Sequence, residues 1–200
     1  MTEQEGFDNL FREIWDDLVR AVGERRNPFH TPVVASLGPD GVEAHVVALR
    51  RVTPEQREIT FHTDLRAQKI LRFRENPNVE WVFYDAARKV QIRARGRMSV
   101  HAGDDPIARD AWERTRLMSR RCYLAEFGSG TILDAPSSGL PAQFEERSPS
   151  LEESEAGYVN FAVCMTTVHR FEHLHLAARG HLRRALTWNG ETFEQAWLAP

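Results

Sequence analysis

Between residues 7 and 22 apolar side chains recur at spacings of three and four: Phe7, Leu10, Phe11, Ile14, Trp15, Leu18 and Val19, with acids and arginines between them. That period predicts an amphipathic helix docked on an apolar surface. After Asn27-Pro28 the period shortens to that of strands. Val33 to Leu37 reads as a strand, Gly38-Pro39-Asp40-Gly41 as a turn, and Val42 to Arg51 as the next strand. Within the latter, Val46, Val47, Ala48 and Leu49 form a buried-looking run with His45 and Arg50 at its tips. Pro54 and the polar Glu55-Gln56-Arg57 interrupt it. Glu58 to Thr63 then alternates, Ile59 and Phe61 on one face and Thr60 and His62 on the other, so a hairpin is expected. Thr63 or Asp64 offers a side-chain oxygen to the first N–H groups of a helix running to about Arg74, which Asn76-Pro77 ends.

Val79 to Tyr84 and Lys89 to Val100 read as two more strands joined at Asp85 to Arg88. In the second, Val90, Ile92, Ala94 and Met98 share one face, and Gln91, Arg93, Arg95 and Arg97 share the other, a solvated or partner-facing side. Asp104-Asp105-Pro106 opens a helix carrying Ile107, Ala108, Trp112, Leu117 and Met118 and running into Ser119 to Tyr123. Residues 128–150 turn to Gly, Ser, Pro and acids, a loop longer than ordinary connections, of the kind that forms lids, interface arms or disordered segments. Tyr158 to Phe171 gives a long apolar strand that Glu172 to Leu176 continues or pairs with. His181 to Trp188 and Thr192 to Leu198 form a last hairpin across Asn189-Gly190. About seven strands with two or three helices imply a largely antiparallel α+β barrel.

The chain has 200 residues, 42% of them hydrophobic and 28% charged, which suits one domain spanning residues 1–200, with an N-terminal helix at 1–26. No apolar stretch is long enough to cross a membrane and the N-terminus lacks the pattern of a secretion signal, so a cytoplasmic protein with no membrane partner is expected. A net charge of −3 gives no overall basic field, which argues against nucleic acid as a partner. Cys122 and Cys164 make neither a metal pair nor a disulfide framework and read as small apolar residues.

Chemistry concentrates in three places. Arg50, Arg66 and Lys69, with Thr63 and a helix N-terminus, suit a phosphate or stand as surface charges. His169, His173 and His175 surround Glu172, but ligands on one strand without a firm third partner do not define a metal site, and no metal is expected. No Ser-His-Asp order, Walker loop or zinc motif is evident, and no side chain stands out as a catalytic general base.

The segments HVVALR (45–50), FHTDLRAQK (61–69), ENPNVEWVFY (75–84), VQIRARG (90–96) and the C-terminal HLRRALTW and WLAP resemble, in that order, the FMN-binding split barrel of the pyridoxamine 5′-phosphate oxidase family. The resemblance covers the chain from about residue 28. It implies a split β-barrel with peripheral helices, a homodimer with flavin sites at the interface, FMN as cofactor and oxidoreductase chemistry on a small-molecule substrate. Lys69 and the helix start would hold the FMN phosphate, Val46 and Val47 would lay backbone against the isoalloxazine edge, and His62-Thr63 would line the ring and ribityl chain. Gln91 would offer an amide, and Arg50 and Arg184 would set the electrostatics of the ring. His45 and Gln68 stand where the family carries arginines. Gly180 and Leu182 stand where it carries a substrate-facing Arg and His, with His181 one residue away, so vitamin B6 turnover is not implied. Arg120 and Tyr123 either close over the ring or serve as a helix cap and a packed aromatic. A flavin sensor or carrier without turnover, or a barrel holding haem or a deazaflavin, are the alternatives.

Overall fold

In the computed structural model the described residues are 3–39 and 41–200, with side chains from Asn9 onward, so Phe7 and Asp40 lie outside the described side chains. The elements are α1 (Glu3–Gly23), β1 (Val33–Gly38), β2 (Gly41–Val46), β3 (Leu49–Thr53), β4 (Glu58–Asp64), α2 (Gln68–Glu75), β5 (Asn78–Asp85) and β6 (Val90–Ala102). They continue with α3 (Pro106–Arg114), α4 (Leu117–Arg120), α5 (Leu151–Glu155), β7 (Phe161–His175), β8 (Leu182–Trp188) and β9 (Phe193–Leu198). The nine strands form one sheet in the order β2-β1-β5-β6-β7-β4-β3, with β8 on β7 and β9 on β8. The pairs β1–β2, β1–β5, β3–β4, β5–β6, β7–β8 and β8–β9 are antiparallel.

By its contacts the chain divides into two compact units. A sheet unit comprises Met1–Phe61, Asn76–Met98 and Met165–Pro200, and a helical unit comprises His62–Glu75 and Ser99–Cys164. The sheet unit buries the face that alternation predicts. Ile92, Ala94 and Met98 on β6, Trp81 and Phe83 on β5, and Ile59 and Phe61 on β4 are all nearly inaccessible. α1 lies on this unit through Trp15, whose ring meets Phe171 edge-on at 5.0 Å, and Phe11, 5.3 Å from Phe193. Val19, expected on the same helical face, is exposed. In the helical unit Trp112, Tyr123, Phe161 and Val163 form an aromatic cluster on which Tyr158 packs.

Three expectations are corrected. The strand expected over 42–51 is two strands: Val46 ends β2, Val47 donates its N–H to the Pro32 carbonyl (3.0 Å), and the chain then changes partner from β1 to β4. Val47 is buried there while Val46 is 70% exposed, so the apolar run 46–49 is not one buried segment. The helix expected to carry Trp112 through Met118 stops at Arg114, where Thr115 takes an extended conformation; Leu117 and Met118 belong to α4. α5 follows the expected loop directly, opened by a capping box in which Ser150 and Glu153 each bond the other's backbone. The strands number nine rather than about seven, β3 being separate from β2; β7 is continuous to His175, and the expected last hairpin is β8 and β9.

Gly96 sets the closest approach in the sheet unit: a Cβ built there falls 2.4 Å from Thr166 Cγ2 and 2.4 Å from the Thr167 carbonyl oxygen. One of those obstacles is backbone, so a side chain cannot be accommodated by a rotamer change. We expect Gly96→Ala to lower unfolding free energy by about 1–3 kcal/mol, the usual range for overpacking, measured by denaturant titration; an unchanged midpoint would refute the contact.

Candidate functional site

Asp64 ends β4 and turns the chain. Its Oδ1 accepts from the Arg66 N–H (2.8 Å) and Nε (3.0 Å), its Oδ2 from Arg66 Nη2 (2.7 Å), and its carbonyl from the Ala67 N–H (3.1 Å). This side-chain-stabilised turn delays the helix, so α2 opens at Gln68 rather than at Thr63 or Asp64. Gln68 and Lys69 become its first two residues. Arg66 is not available to an anion, contrary to expectation. Its guanidinium also donates to the carbonyls of Ala125 (2.9 Å), Glu126 (3.2 Å) and Phe127 (3.3 Å), which ties the segment after α4 to the turn.

Lys69 is in a different state. It is half-buried, and among the described residues no carboxylate forms an ion pair with it. Burial pushes its pKa down, only partly offset by Cys164. Burial also pushes the Cys164 thiol up to about 12, leaving it neutral and without a compensating charge at pH 7. A half-buried ammonium without a counter-ion is stabilised by an arriving anion.

Within the helical unit lies an open cavity of about 460 Å³. One wall is the end of β4, His62 to Asp64, with the His62 ring 4.8 Å from Phe161; the other is formed by residues between Cys122 and Gly139. Much of the long loop is therefore cavity wall. Cys122 is exposed on that wall rather than packed as a small apolar residue, whereas Cys164 is buried.

The remaining predicted site residues lie in the sheet unit. His45 is on β2 with Nε2 3.5 Å from Glu43, Val46 ends that strand, Val47 follows it, and Arg50 is exposed on β3. Because the Val47 N–H is taken by Pro32, its backbone can offer a ligand only the carbonyl. Gln91 is the second residue of β6, opposite Tyr84. Arg184 on β8 lies between His173 and Trp197 in register, its guanidinium 4.1 Å above the Trp197 ring. The structure thus brings His62, Thr63, Gln68 and Lys69 together in one unit and places His45, Val46, Val47, Arg50, Gln91 and Arg184 in the other. Gly180 takes φ +125° in the turn before β8, and His181 and Leu182 after it are exposed.

Arg120 is 3% exposed and fully engaged with the carbonyls of Trp112, Glu113 and Thr115 and with Ser154 and Glu155, so it holds helices together. Tyr123 packs on Trp112 and Phe161. Both are structural in the sense of the second reading. The structure also reveals what the sequence concealed: Ser99 Oγ lies 2.8 Å from His101 Nε2, and His101 Nδ1 lies 2.8 Å from Asp105 Oδ2. A Ser-His-Asp order is therefore present, correcting the expectation. Its third member is the α3 cap, and the nearby N–H groups of Ile107 and Arg109 are taken by Asp105, so this helix offers no oxyanion donor. Among the described residues no group of three or more metal-ligating side chains is placed to hold an ion, and no helix is long and apolar enough to cross a membrane.

The antiparallel sheet with its helices shares the fold of the pyridoxamine 5′-phosphate oxidase-like split barrels, although here the sheet does not close on itself. A pyridoxamine 5′-phosphate oxidase-related, FMN binding protein from Nostoc punctiforme superposes with a TM-score of 0.75 at 15% identity, covering 95% of this chain and 97% of that one. PhzG from Burkholderia lata, solved with tetrahydrophenazine-1-carboxylic acid, gives 0.68 at 16% identity, covering 98% and 92%. A protein related to general stress protein 26 from Clostridium acetobutylicum gives 0.55 at 9% identity, covering 88% and 93%. At these identities the likeness is one of fold. Residues 12–102 match the family model described as pyridoxamine 5′-phosphate oxidase, FMN-binding domain, the family that the chain's motifs resemble. No curated protein matches the sequence.

His173 supplies a pH-dependent readout for the sheet unit. Burial first, then Arg184, His175 and Arg88, push its pKa down from 6.5 to about 4, with Asp17 opposing. The unfolded chain therefore takes up a proton near pH 6.5 that the folded chain refuses until about pH 4, so this group's stabilisation is lost as pH falls through that window. We expect the melting temperature to drop over the window and His173→Asn to flatten the drop, as followed by calorimetry.

Proposed function

We propose that this chain binds FMN and carries out two-electron transfer with a small-molecule substrate, as a homodimer. The observation that carries the proposal is Lys69: a half-buried ammonium at the first turn of α2, without an ion pair among the described residues. The N–H groups of that turn and the Lys69 charge suit a phosphate monoester. Gln68 is exposed and uncharged, so the phosphate is held with fewer fixed cations than in the resembled family. The Thr63 hydroxyl and His62 ring, on the cavity wall, suit the ribityl chain and ring edge. For Arg50, Gln91 and Arg184 the assignment to the ring rests on the resemblance alone. When bound, FMN supplies a two-electron acceptor; the protein's part is to hold the phosphate, exclude water and place the substrate. A flavin carrier without turnover is the second reading, favoured by Gly180 and Leu182 at the positions where the resemblance places substrate-facing residues.

The dimer is supported by one face of the sheet. The cross-strand pairs Val33–Val46, Ala35–Ala44 and Leu37–Val42 put only apolar side chains on that side of the β1–β2 hairpin. Val42, Val46 and Leu37 are 73%, 70% and 54% exposed there. Contiguous exposed apolar side chains of this kind are a site of association, and a second copy of the chain is the proposed occupant.

Protein purified without added cofactor, and again after mixing with FMN and removing the excess, should show flavin bands; a colourless protein that takes up none overturns the proposal. Lys69→Met should weaken FMN by about ten- to a hundredfold while leaving riboflavin, which lacks the phosphate, unchanged. Val42→Glu should shift the size-exclusion mass toward that of a single chain; an unchanged mass would place the interface elsewhere.

A further inference from the structure

The cavity of the helical unit has a one-sided chemistry. Its volume of about 460 Å³ suits a small molecule, yet no lysine or arginine is among the residues that line it. Its only carboxylate, Asp64, has both oxygens taken by Arg66. Arg66 in turn directs its remaining donors to the carbonyls of residues 125–127, so neither Asp64 nor Arg66 leaves a charge to a ligand, and the His62 ring is the one other titratable side chain of the wall besides the Cys122 thiol and the Tyr123 phenol. The same clamp fixes the wall. A Cβ on Gly128 would fall 2.8 Å from Arg66 Cβ, and Thr131 Oγ1 and Ser138 Oγ hold the loop by donating to Gly128 O (2.8 Å) and Glu145 Oε1 (3.1 Å). With His62 and Thr63 given to the flavin, what remains for a substrate is the Ser129 hydroxyl, which makes no hydrogen bond among the described residues, the Ser137 hydroxyl, which accepts from the Gly139 N–H and keeps its own proton to donate, and the face of Phe127.

We infer that this cavity binds an uncharged, ring-bearing small molecule that carries hydrogen-bonding groups, and that this molecule is the substrate; the word substrate rests on the flavin reading above, the binding does not. An aromatic face with hydroxyl donors matches a polar ring, whereas a phosphate or carboxylate would be desolvated with no fixed cation to receive it. The class of substrate therefore differs from a phosphorylated one, in line with Gly180 and Leu182 at the substrate-facing positions of the resembled family.

Cys122 reports on the cavity from its own wall, and Cys164, buried, serves as the silent reference. The purified full chain is treated with benzyl methanethiosulfonate, an uncharged ring, or with sulfonatoethyl methanethiosulfonate, an anion, and labelling at Cys122 is followed by intact mass. Each rate is divided by that reagent's rate with free 2-mercaptoethanol. We expect the benzyl reagent to be favoured by at least about tenfold and its rate to saturate with concentration, the mark of binding before reaction. Arg66→Ala, which releases the wall, should remove the saturation while Cys122 still reacts. A sulfonate reagent as fast as the benzyl one, or a benzyl rate that stays linear with concentration, overturns the inference. Flavin absorbance is read on the same samples: loss of FMN binding with saturation intact would sink the flavin reading and leave this one standing.

Discussion

Between Gly96 and the Thr166–Thr167 peptide there is room for a hydrogen atom and nothing larger. That close approach belongs to the middle of two long strands, and the buried residues around it depend on it. Trp81 donates its indole N–H to Thr166 Oγ1 at 3.0 Å, and Thr166 Oγ1 in turn reaches Met98 Sδ at 3.5 Å. A fully buried indole and a fully buried hydroxyl satisfy one another, which is the condition for placing either in a core. Parity then propagates along β7. Thr166 and Val168 are buried between more accessible neighbours, whereas Phe161 to Cys164 are all buried, so the strand passes from a stretch covered on both faces to one covered on one before Phe171 and Glu172 are buried together.

The accessible side of the sheet unit is organised by charge. Glu80 pairs with Arg93 and Arg95, and Glu172 pairs with Arg93, Arg170 and Arg183. Exposed ion pairs contribute little each. Glu172 is only 6% exposed, however, and a carboxylate buried that far is held ionised by its arginines: burial would raise its pKa, and Arg183 and Arg170 outweigh burial and lower it. The alternation of Gln91, Arg93, Arg95 and Arg97 makes their shared face readable from sequence. The partners do not follow from it, because Glu172 lies far away in the chain and reaches Arg93 only through strand order.

Legibility follows the range of the interaction that decides each element. Asn189-Gly190 makes the last hairpin by itself, and the alternation of β4 and β6 fixes which residues enter the core. Where two local outcomes use the same atoms, sequence cannot choose. Asp64 next to an apolar helical pattern reads as a helix cap, and its carboxylate does accept a backbone N–H two residues on, but Arg66 wraps back onto both oxygens and makes it a turn instead. What tips the balance is the set of carbonyls at 125–127 that complete the Arg66 guanidinium from a distant part of the chain. The Ser99-His101-Asp105 chain escapes a sequence reading for a different reason: two members lie on a strand and the third caps a helix, a spacing that no motif records. The capping box at Ser150 and Glu153 is a local signal, masked by the polar composition of the loop that precedes it.

The roles of the cations follow from the shape of their head groups. A guanidinium offers five donors in a fixed fork, and wherever carbonyls crowd together the fold recruits one: Arg66 onto three of them, Arg120 onto three more, Arg121 onto those of Phe144 and Glu145. An arginine so recruited is lost to a ligand. An ammonium is a compact charge with no fork to satisfy, and at the start of α2 it can remain half-buried without being absorbed into the scaffold. That is why the cation suited to an anion in the helical unit is a lysine, and why the arginine three residues before it shapes the neighbouring cavity instead of charging it.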